Sequence, residues 1–479
     1  MSIDPATEEV LAEIPTASER EVGEAVARAR RAQPGWAARP IEERAACLSL
    51  AADLLDRGLE ELARLETREQ GKVIAESRAE VADAANRIRW FAEKGPAVLS
   101  PREETAPGVR GIVEYAPVGV VAAIKPWNFP VQIPIWTVAP GLLAGNTIVF
   151  KPSEQTPLVG ARIVEIFREA GVPEEVLVLV QGADAVGRAL VEAEVDMIGF
   201  VGSQAAGISI AVAAAKDLKK VALELGGKDP MIVLADADLE ATAAGAVKGA
   251  FRNCGQVCCS VERIYVERSI RGALLEAIVE RTRALRIGPG LDETREIGPM
   301  VSPEERSRVV EMVGEARARG AEVLAGGAAR DGRGFFIEPA VVTGVPAEAR
   351  IARIETFGPV LEVEAVDSVD EAVERANALP YGLTASVWSR DVERAAAVAR
   401  RLDAGTRAVN QTIGSLVQMP WGGRKRSGIG RMLSLEGIRE FADPVTLRLP
   451  AKKGSGYFFQ KRGQAPFPLA RKRSQTPKK

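Results

Sequence analysis

The segment VGVVAAIKPWNFP, Val118 to Pro130, sets an apolar run against a rigid ending. Val118–Ile124 is short and rich in β-branched valine, which reads as a buried strand. Two prolines then fix the loop Pro126–Pro130. Working outward, the same kind of run recurs at Thr147–Phe150, Val176–Val180, Met197–Val201 and Val221–Leu225, with helical patterns between. Alternation of strand and helix implies a parallel sheet with helices on both faces. Such sheets bind ligands beyond the carboxyl ends of their strands. Pro126–Pro130, Lys151–Glu154, Gly202–Ser203 and Glu224–Gly227 all fall there. A second series follows at Met231–Leu234, Arg263–Val266, Ala321–Leu324, Val360–Val366, Thr384–Trp388 and Arg407–Asn410. It predicts a second α/β domain, with the stretch FRNCGQVCCS, Phe251 to Ser260, near its start.

Ahead of the first series the pattern is helical. Ser18 and Glu21 form a capping-box pair before Val22, Ala25, Val26 and Ala29. A long helical region after Pro40 carries Leu54, Leu55, Leu62 and Leu65, and Gly71 interrupts it. Val81–Glu93 reads as a further helix, its Trp90 and Phe91 as core. Pro101–Tyr115 is polar and then turns β-like. The tail 451–479 carries basic charges and no acidic ones. It reads as a solvated, disordered end, with binding to a partner or anionic surface as the alternative.

The 479 residues are 46% hydrophobic and 27% charged, with a net charge of -2. This is ordinary for a soluble protein of two or three domains and gives no reason to expect nucleic acid. No apolar run reaches membrane-span length, and no signal-peptide pattern opens the chain. Four cysteines and no targeting segment suggest the reducing cytoplasm. The chain contains no histidine. That removes His-based triads, dyads and metal sites, so a general base must be a carboxylate, Lys, Tyr, a thiolate or water.

Three of the cysteines, Cys254, Cys258 and Cys259, share one stretch. Their spacing does not suit structural zinc, Cys47 is far away, and no metal is expected. A disulfide between neighbours is sterically awkward. Cys254 reads as core filler, whereas Gly255-Gln256 ahead of Cys258 favours a reactive thiol. Glu224, in LELGGKDP, ends an apolar strand. Partial desolvation there raises a carboxyl pKa and suits proton abstraction, although a plain strand-end glutamate reads the same way. Asn128 in PWNFP offers an amide N–H to an oxyanion, or else satisfies its own turn. In KPSEQTP, Lys151 suits a phosphate or a ribose hydroxyl, and Glu154 accepts from hydroxyls. FVGSQAAG has Gly202 and Gly207, which match neither G-x-G-x-x-G nor a Walker loop.

PWNFP, KPSEQTP, FVGS, LELGGKDP, GQVCCS, ETFGPV, PYGLTASVWS and PWGGRKRSGIG, in this order, resemble the aldehyde dehydrogenase superfamily. The likeness runs from Pro5 to about Leu449, and Glu224 and Cys258 stand at the family's usual separation. The resemblance implies an α/β fold of two Rossmann-like doubly wound domains and a small β oligomerisation element. In these terms 1–98 and 118–226 bind the cofactor, 227–430 form the catalytic domain, and 99–117 with 442–450 form the oligomerisation element. It further implies oxidation of an aldehyde to the acid. Cys258 would be the nucleophile, Asn128 and the Cys258 N–H the oxyanion donors, and Glu224 the activator of hydrolytic water.

The implied cofactor is NAD, with NADP possible through Lys151, contacted by Trp127, Lys151, Ser153, Glu154, Gly202, Ser203, Leu225, Glu355 and Phe357. Pocket walls would be Phe129, Ile133, Trp136, Arg252, Val257 and Cys259, and the expected partners are a small aldehyde and one or three further copies of the chain. Succinate-semialdehyde dehydrogenases usually carry arginine where Trp136 and Arg252 stand. This chain has only the second, so an uncharged aldehyde is expected. The alternatives are succinate semialdehyde, a coenzyme A-acylating relative, which Glu224 argues against, and a non-catalytic cofactor-binding protein. Val201, Ile208, Thr137 and Met432 depart from the family pattern, the last two where a Lys and a Glu near the catalytic Glu are common.

Overall fold

The structure is a computed structural model that describes residues 1–106 and 109–450. The basic tail lies outside the described residues. The chain forms two compact units, one of Met1–Ser100 with Tyr115–Asp443 and one of Pro101–Glu114 with the segment from Pro444 onward.

The larger unit is built on two sheets. The first contains β1 (Val120–Ile124), β2 (Thr147–Lys151), β3 (Leu177–Leu179), β4 (Met197–Gly202) and β5 (Lys220–Leu225). The second contains β6 (Asp229–Val233), β7 (Val261–Glu267), β8 (Glu322–Ala325), β9 (Ala340–Thr343), β10 (Val360–Val366), β11 (Thr384–Trp388) and β12 (Thr406–Val409). A short β13 (Gly428–Ile429) returns to the first sheet. The strand orders are β13-β5-β4-β1-β2-β3 and β8-β9-β10-β7-β6-β11-β12. All neighbours are parallel except β13 on β5 and β8 on β9.

The expected series holds, apart from the unforeseen Gly428–Ile429 edge strand and two differences in the second sheet. Ala340–Thr343 is a strand that the sequence reading passed over, and the expected strand near Ala321–Leu324 runs antiparallel at the sheet edge. The short AVVT run between glycine- and proline-rich loops gave too little pattern to separate it from loop.

Alternation along β1, β4 and β5 divides the core. Val121, Ala123, Met197, Val201 and Ala222 pack on one side of the first sheet. Ala122, Ile124, Ile198, Phe200 and Leu223 pack on the other. The first side carries the helix Gln132–Ala144, which is buried along nearly its whole length. That helix is apolar all round, as a helix enclosed on every side must be.

The Glu19–Ala37 helix starts with the anticipated capping box: Ser18 Oγ accepts from Glu21 N–H, and Glu21 accepts from Ser18 N–H at 2.8 Å. The leucine-rich region after Pro40 is two helices, Ile41–Arg57 and Leu59–Gln70, parted at Gly58. The next helix is longer than foreseen, Ile74–Val98, with Phe91 buried in the core. Arg102–Ala106 and Val109–Pro117 pair antiparallel, and Ala442–Pro450 joins them in a three-stranded sheet. Among the described residues, no helix is long and apolar enough to cross a membrane.

Candidate active site

The chain leaves β1 for β2 on one side and returns through β4 to β5 on the other. Between β1 and β4 lies a topological switch point, where open α/β sheets form a ligand crevice. A cavity of about 330 Å³ occurs there. Trp127 and Asn128 from the loop after β1, Gly202 and Ser203 from β4, and Glu224 and Leu225 from β5 line it. Cys258, Glu355 and Phe357 reach it from the segments that carry the second sheet. Nine of the residues expected at the site therefore meet in one space.

Cys258 is presented by an unusual turn. Asn253, Cys254 and Gly255 are consecutive left-handed residues, with φ of 48°, 55° and 70°. Such a turn is costly for non-glycine residues and persists only where its surroundings hold it. Asn253 N–H donates to the Glu76 carboxylate at 3.1 Å, and its side-chain amide donates to the Asn128 carbonyl at 3.0 Å. Gln256 ties the turn to Val301 N–H at 2.9 Å. A Cβ on Gly255 would collide with the Gly358–Pro359 backbone, so only glycine fits. Cys254 is fully buried behind the turn, as expected of core filler.

Asn128 is 2% exposed and donates one amide hydrogen to the Gln256 carbonyl at 3.0 Å. A carboxamide has two such hydrogens, so one is left for a reacting oxygen. The Asn128 backbone is clamped from behind by Lys72, whose ammonium donates to its carbonyl at 2.9 Å. Lys72 is buried between Glu66 and Glu80 and lies 4.2 Å from the Phe129 ring centroid. Sequence reasoning missed this lysine. Its position just after Gly71, at a helix end, gave no sign that it reaches the PWNFP loop.

Glu224 is 1% exposed. Burial pushes its carboxyl up to about 7, against the pull of Trp421, Lys125 and the Cys258 thiol. Trp421 Nε1 donates to Glu224 Oε1 at 3.1 Å, while Oε2 is buried without a partner. The Cys258 thiol lies well above its ordinary range, through Cys259, burial and the nearby Glu224 charge. At neutral pH the resting thiol is protonated, with a carboxyl group raised to about 7 beside it as the candidate base. Sequence reasoning singled out neither Trp421, which lies within PWGGRKRSGIG, nor Lys125. A lone charge closing an all-apolar strand was the available signal for Lys125.

The remaining expected residues divide. Glu355 accepts from Gly227 N–H at 3.1 Å, and a Cβ on Gly226 would strike its carboxylate. Phe357 and Trp127 meet edge to face at 5.5 Å. Lys151, Ser153 and Glu154 lie at the end of β2, outside that cavity. Lys151 bonds the Pro152 carbonyl at 2.9 Å and approaches Glu154 at 3.6 Å. Phe129 and Arg252 line a second cavity of about 760 Å³, together with Arg87, Asp83 and Gln132. Ile133, Trp136, Val257 and Cys259 are buried in the core beside it and line neither cavity. Trp136 packs against Trp421 at 6.2 Å, and Cys259 donates to the Ile413 carbonyl at 3.4 Å.

The Aldehyde dehydrogenase family profile matches residues 1–447. The chain belongs to the aldehyde dehydrogenase family. Betaine aldehyde dehydrogenase 1 of Rhizobium meliloti, strain 1021, is 41% identical to it over 93% of both proteins. A provisionally named succinate-semialdehyde dehydrogenase [NADP(+)] of Mycolicibacterium smegmatis is 39% identical over 91% of this chain and 86% of that protein. The solved structure of an NAD-dependent aldehyde dehydrogenase from Sinorhizobium meliloti superimposes with a TM-score of 0.92 at 38% identity. That match covers 95% of this chain and 92% of the other. The aldehyde dehydrogenase fold thus accounts for both sheets and the crevice between β1 and β4.

Proposed function

We propose that this aldehyde dehydrogenase oxidises an aldehyde to its carboxylic acid through a covalent adduct on Cys258. The meeting of Cys258, Glu224 and Asn128 in one cavity at the switch point carries the reading. Glu224 takes the thiol proton, and the thiolate adds to the carbonyl carbon. The free Asn128 amide hydrogen stabilises the oxyanion that forms. The cavity suits a nicotinamide dinucleotide: Trp127 and Phe357 offer flat walls, and Ser203 caps the Gln204–Lys216 helix, whose N-terminus favours a pyrophosphate. The chemistry supplied by that group is acceptance of hydride from the adduct, which leaves a thioester on Cys258. Glu224, once it has released the thiol proton to solvent, deprotonates the water that hydrolyses the thioester, and the acid departs as the Cys258 thiolate is expelled and reprotonated. NAD is the proposed cofactor, because Glu154 at the end of β2 opposes a 2′-phosphate, and the Sinorhizobium meliloti relative is named as NAD-dependent.

The second cavity points to an aldehyde whose far end is an anion. Arg87 is 2% exposed, and its Nη1 has no partner. Its guanidinium lies 5.9 Å from the Trp136 ring centroid, and that of Arg252 lies 5.0 Å from the Phe129 ring centroid. The acids around them are engaged: Asp83 holds Arg87 and Gln132, Glu76 accepts from Asn253, and Glu80 accepts from Val131 and Gln132. The expectation of an uncharged aldehyde rested on Trp136 standing where an arginine is usual. Arg87 brings a guanidinium to that ring from another helix, which favours the semialdehyde alternative. Relatives named for betaine aldehyde make a cationic substrate the competing case. A panel of succinate semialdehyde, butyraldehyde and betaine aldehyde, read by NADH absorbance, decides: kcat/KM highest for succinate semialdehyde supports the reading, and highest for betaine aldehyde overturns it. Glu224→Gln should let an acyl-enzyme accumulate, visible by intact mass; unchanged deacylation would remove Glu224 from the role of base.

A further inference from the structure

Four buried polar atoms without partners occur around one face of the first sheet: Lys125 Nζ, Glu224 Oε2, Thr137 Oγ1 and Trp136 Nε1. Their placement follows from strand register. Ala123, Gly199 and Ala222 form one row across β1, β4 and β5. Thr137 of the Gln132–Ala144 helix sits over that row, since a Cβ on Gly199 would press on its side chain. Two residues further on, Val201 pairs with Glu224. By alternation Lys125 continues the same face, one step beyond the Ile124–Phe200 pair. Lys125 and Glu224 are therefore two strands apart, about 10 Å between backbones, with valine between. That leaves room for a lysine side chain to turn toward the carboxylate.

We propose that Lys125 is the positioning cation of Glu224: its buried ammonium, on the same sheet face as the unpartnered Glu224 Oε2, favours the carboxylate form that deacylation needs. The proposal rests on the reading of Glu224 as the base. Lys125 is 3% exposed, and among the described residues its Nζ has no hydrogen-bond partner. An ammonium kept dry without a direct partner is expensive, and its stabilisation comes from a charge nearby. Glu224 is the charge that acts on it: burial pushes Lys125 down to about 7, with Glu224 pulling the other way. Of the other ionisable groups, the Cys258 thiol favours the Glu224 charge as a neutral hydrogen-bond donor, whereas Glu355 and Glu224 oppose each other's negative charge and Cys259 opposes it on Cys258. The helix Gln132–Ala144 contributes no ionisable side chain to this face, and Trp421 contributes a neutral donor. Lys125 is thus the cation available to hold Glu224 ionised while it works.

The test uses p-nitrophenyl acetate, an activated ester that acylates a reactive thiol without any cofactor. Release of p-nitrophenolate reports acylation in its burst phase and deacylation in its steady phase. In Lys125→Met the burst should persist, while the acid limb of the deacylation pH profile moves upward. A one-unit move makes deacylation about tenfold slower well below the limb, with the difference closing at high pH. Lys125→Arg, which keeps the charge, should retain the parent limb better than Lys125→Met. A limb that stays in place in Lys125→Met, or a drop that is equal at every pH, overturns the proposal. Burying methionine in place of a desolvated cation is tolerable for folding, and Lys125→Gln provides a second neutral variant with the same expected shift. Glu224→Gln run in parallel separates the two readings. If it deacylates like the parent, Glu224 is not the base; if it does not, an unmoved limb in Lys125→Met removes Lys125 alone.

Discussion

The roles proposed for Asn128 and Glu224 depend on what surrounds each side chain. Asn128 gives one amide hydrogen to the Gln256 carbonyl, which leaves the other for the proposed oxyanion. Asn128→Ala should therefore lower kcat about 10²–10³-fold, the usual effect of losing one oxyanion donor, with little change in thermal midpoint. Glu224 is held near 7 by burial, so the fraction able to act as base grows as pH rises. The deacylation rate should rise through about pH 7 and then level, as steady-state turnover across pH 5 to 9 will show. Removal of the Trp421 hydrogen bond raises the Glu224 pKa further, and Trp421→Phe should move that limb to higher pH. Cys258→Ala should abolish turnover whereas Cys259→Ala should not; the reverse result would place the nucleophile one residue on.

At the scale of elements, local sequence rules and long-range contacts play different parts. The Ser18–Glu21 box acts within one helix turn, and Ser18→Ala should cost about 1 kcal/mol in denaturant unfolding. Lys72 acts between elements: it closes the Leu59–Gln70 and Ile74–Val98 helices through Glu66 and Glu80 and holds the PWNFP loop through the Asn128 carbonyl. Lys72→Met leaves those carboxylates buried without their cation. It should cost about 3–5 kcal/mol in the same measurement, and lower activity through the loop as well. Lys228 and Glu262 form a similar buried pair at 2.5 Å, and Glu262 also accepts from Thr356 and Phe357 N–H groups. That pair fixes the loop that delivers Glu355 and Phe357.

For the molecule as a whole, the charge of the substrate and the number of copies are the open quantities. If Arg87 and Arg252 recognise an anion, added salt should raise KM for succinate semialdehyde and leave butyraldehyde nearly unaffected, because screening acts on the charged substrate alone. The three-stranded sheet ends in Ala442–Pro450, an exposed strand with Val445 and Leu447 about half exposed. We propose it as the oligomerisation element. Val445→Lys should reduce the mass seen by light scattering if this strand lies between copies.

Local pattern alone determined most strands of both sheets, the capped start of the Glu19–Ala37 helix, the absence of imidazole chemistry and the residues at strand ends. Run length, proline, glycine and capping pairs act over a few residues, so they are legible without a fold. The order of the motifs, by resemblance, added the family and the three side chains proposed to react. Tertiary structure decided the rest. Only strand register sets Lys125 on the same face as Glu224, and only packing of the Ile74–Val98 helix brings Arg87 to Trp136. Trp421, 197 residues beyond Glu224 in the chain, becomes its hydrogen-bond donor in the same way. Such contacts join segments far apart in sequence, and their energy comes from burial and charge that no single segment possesses.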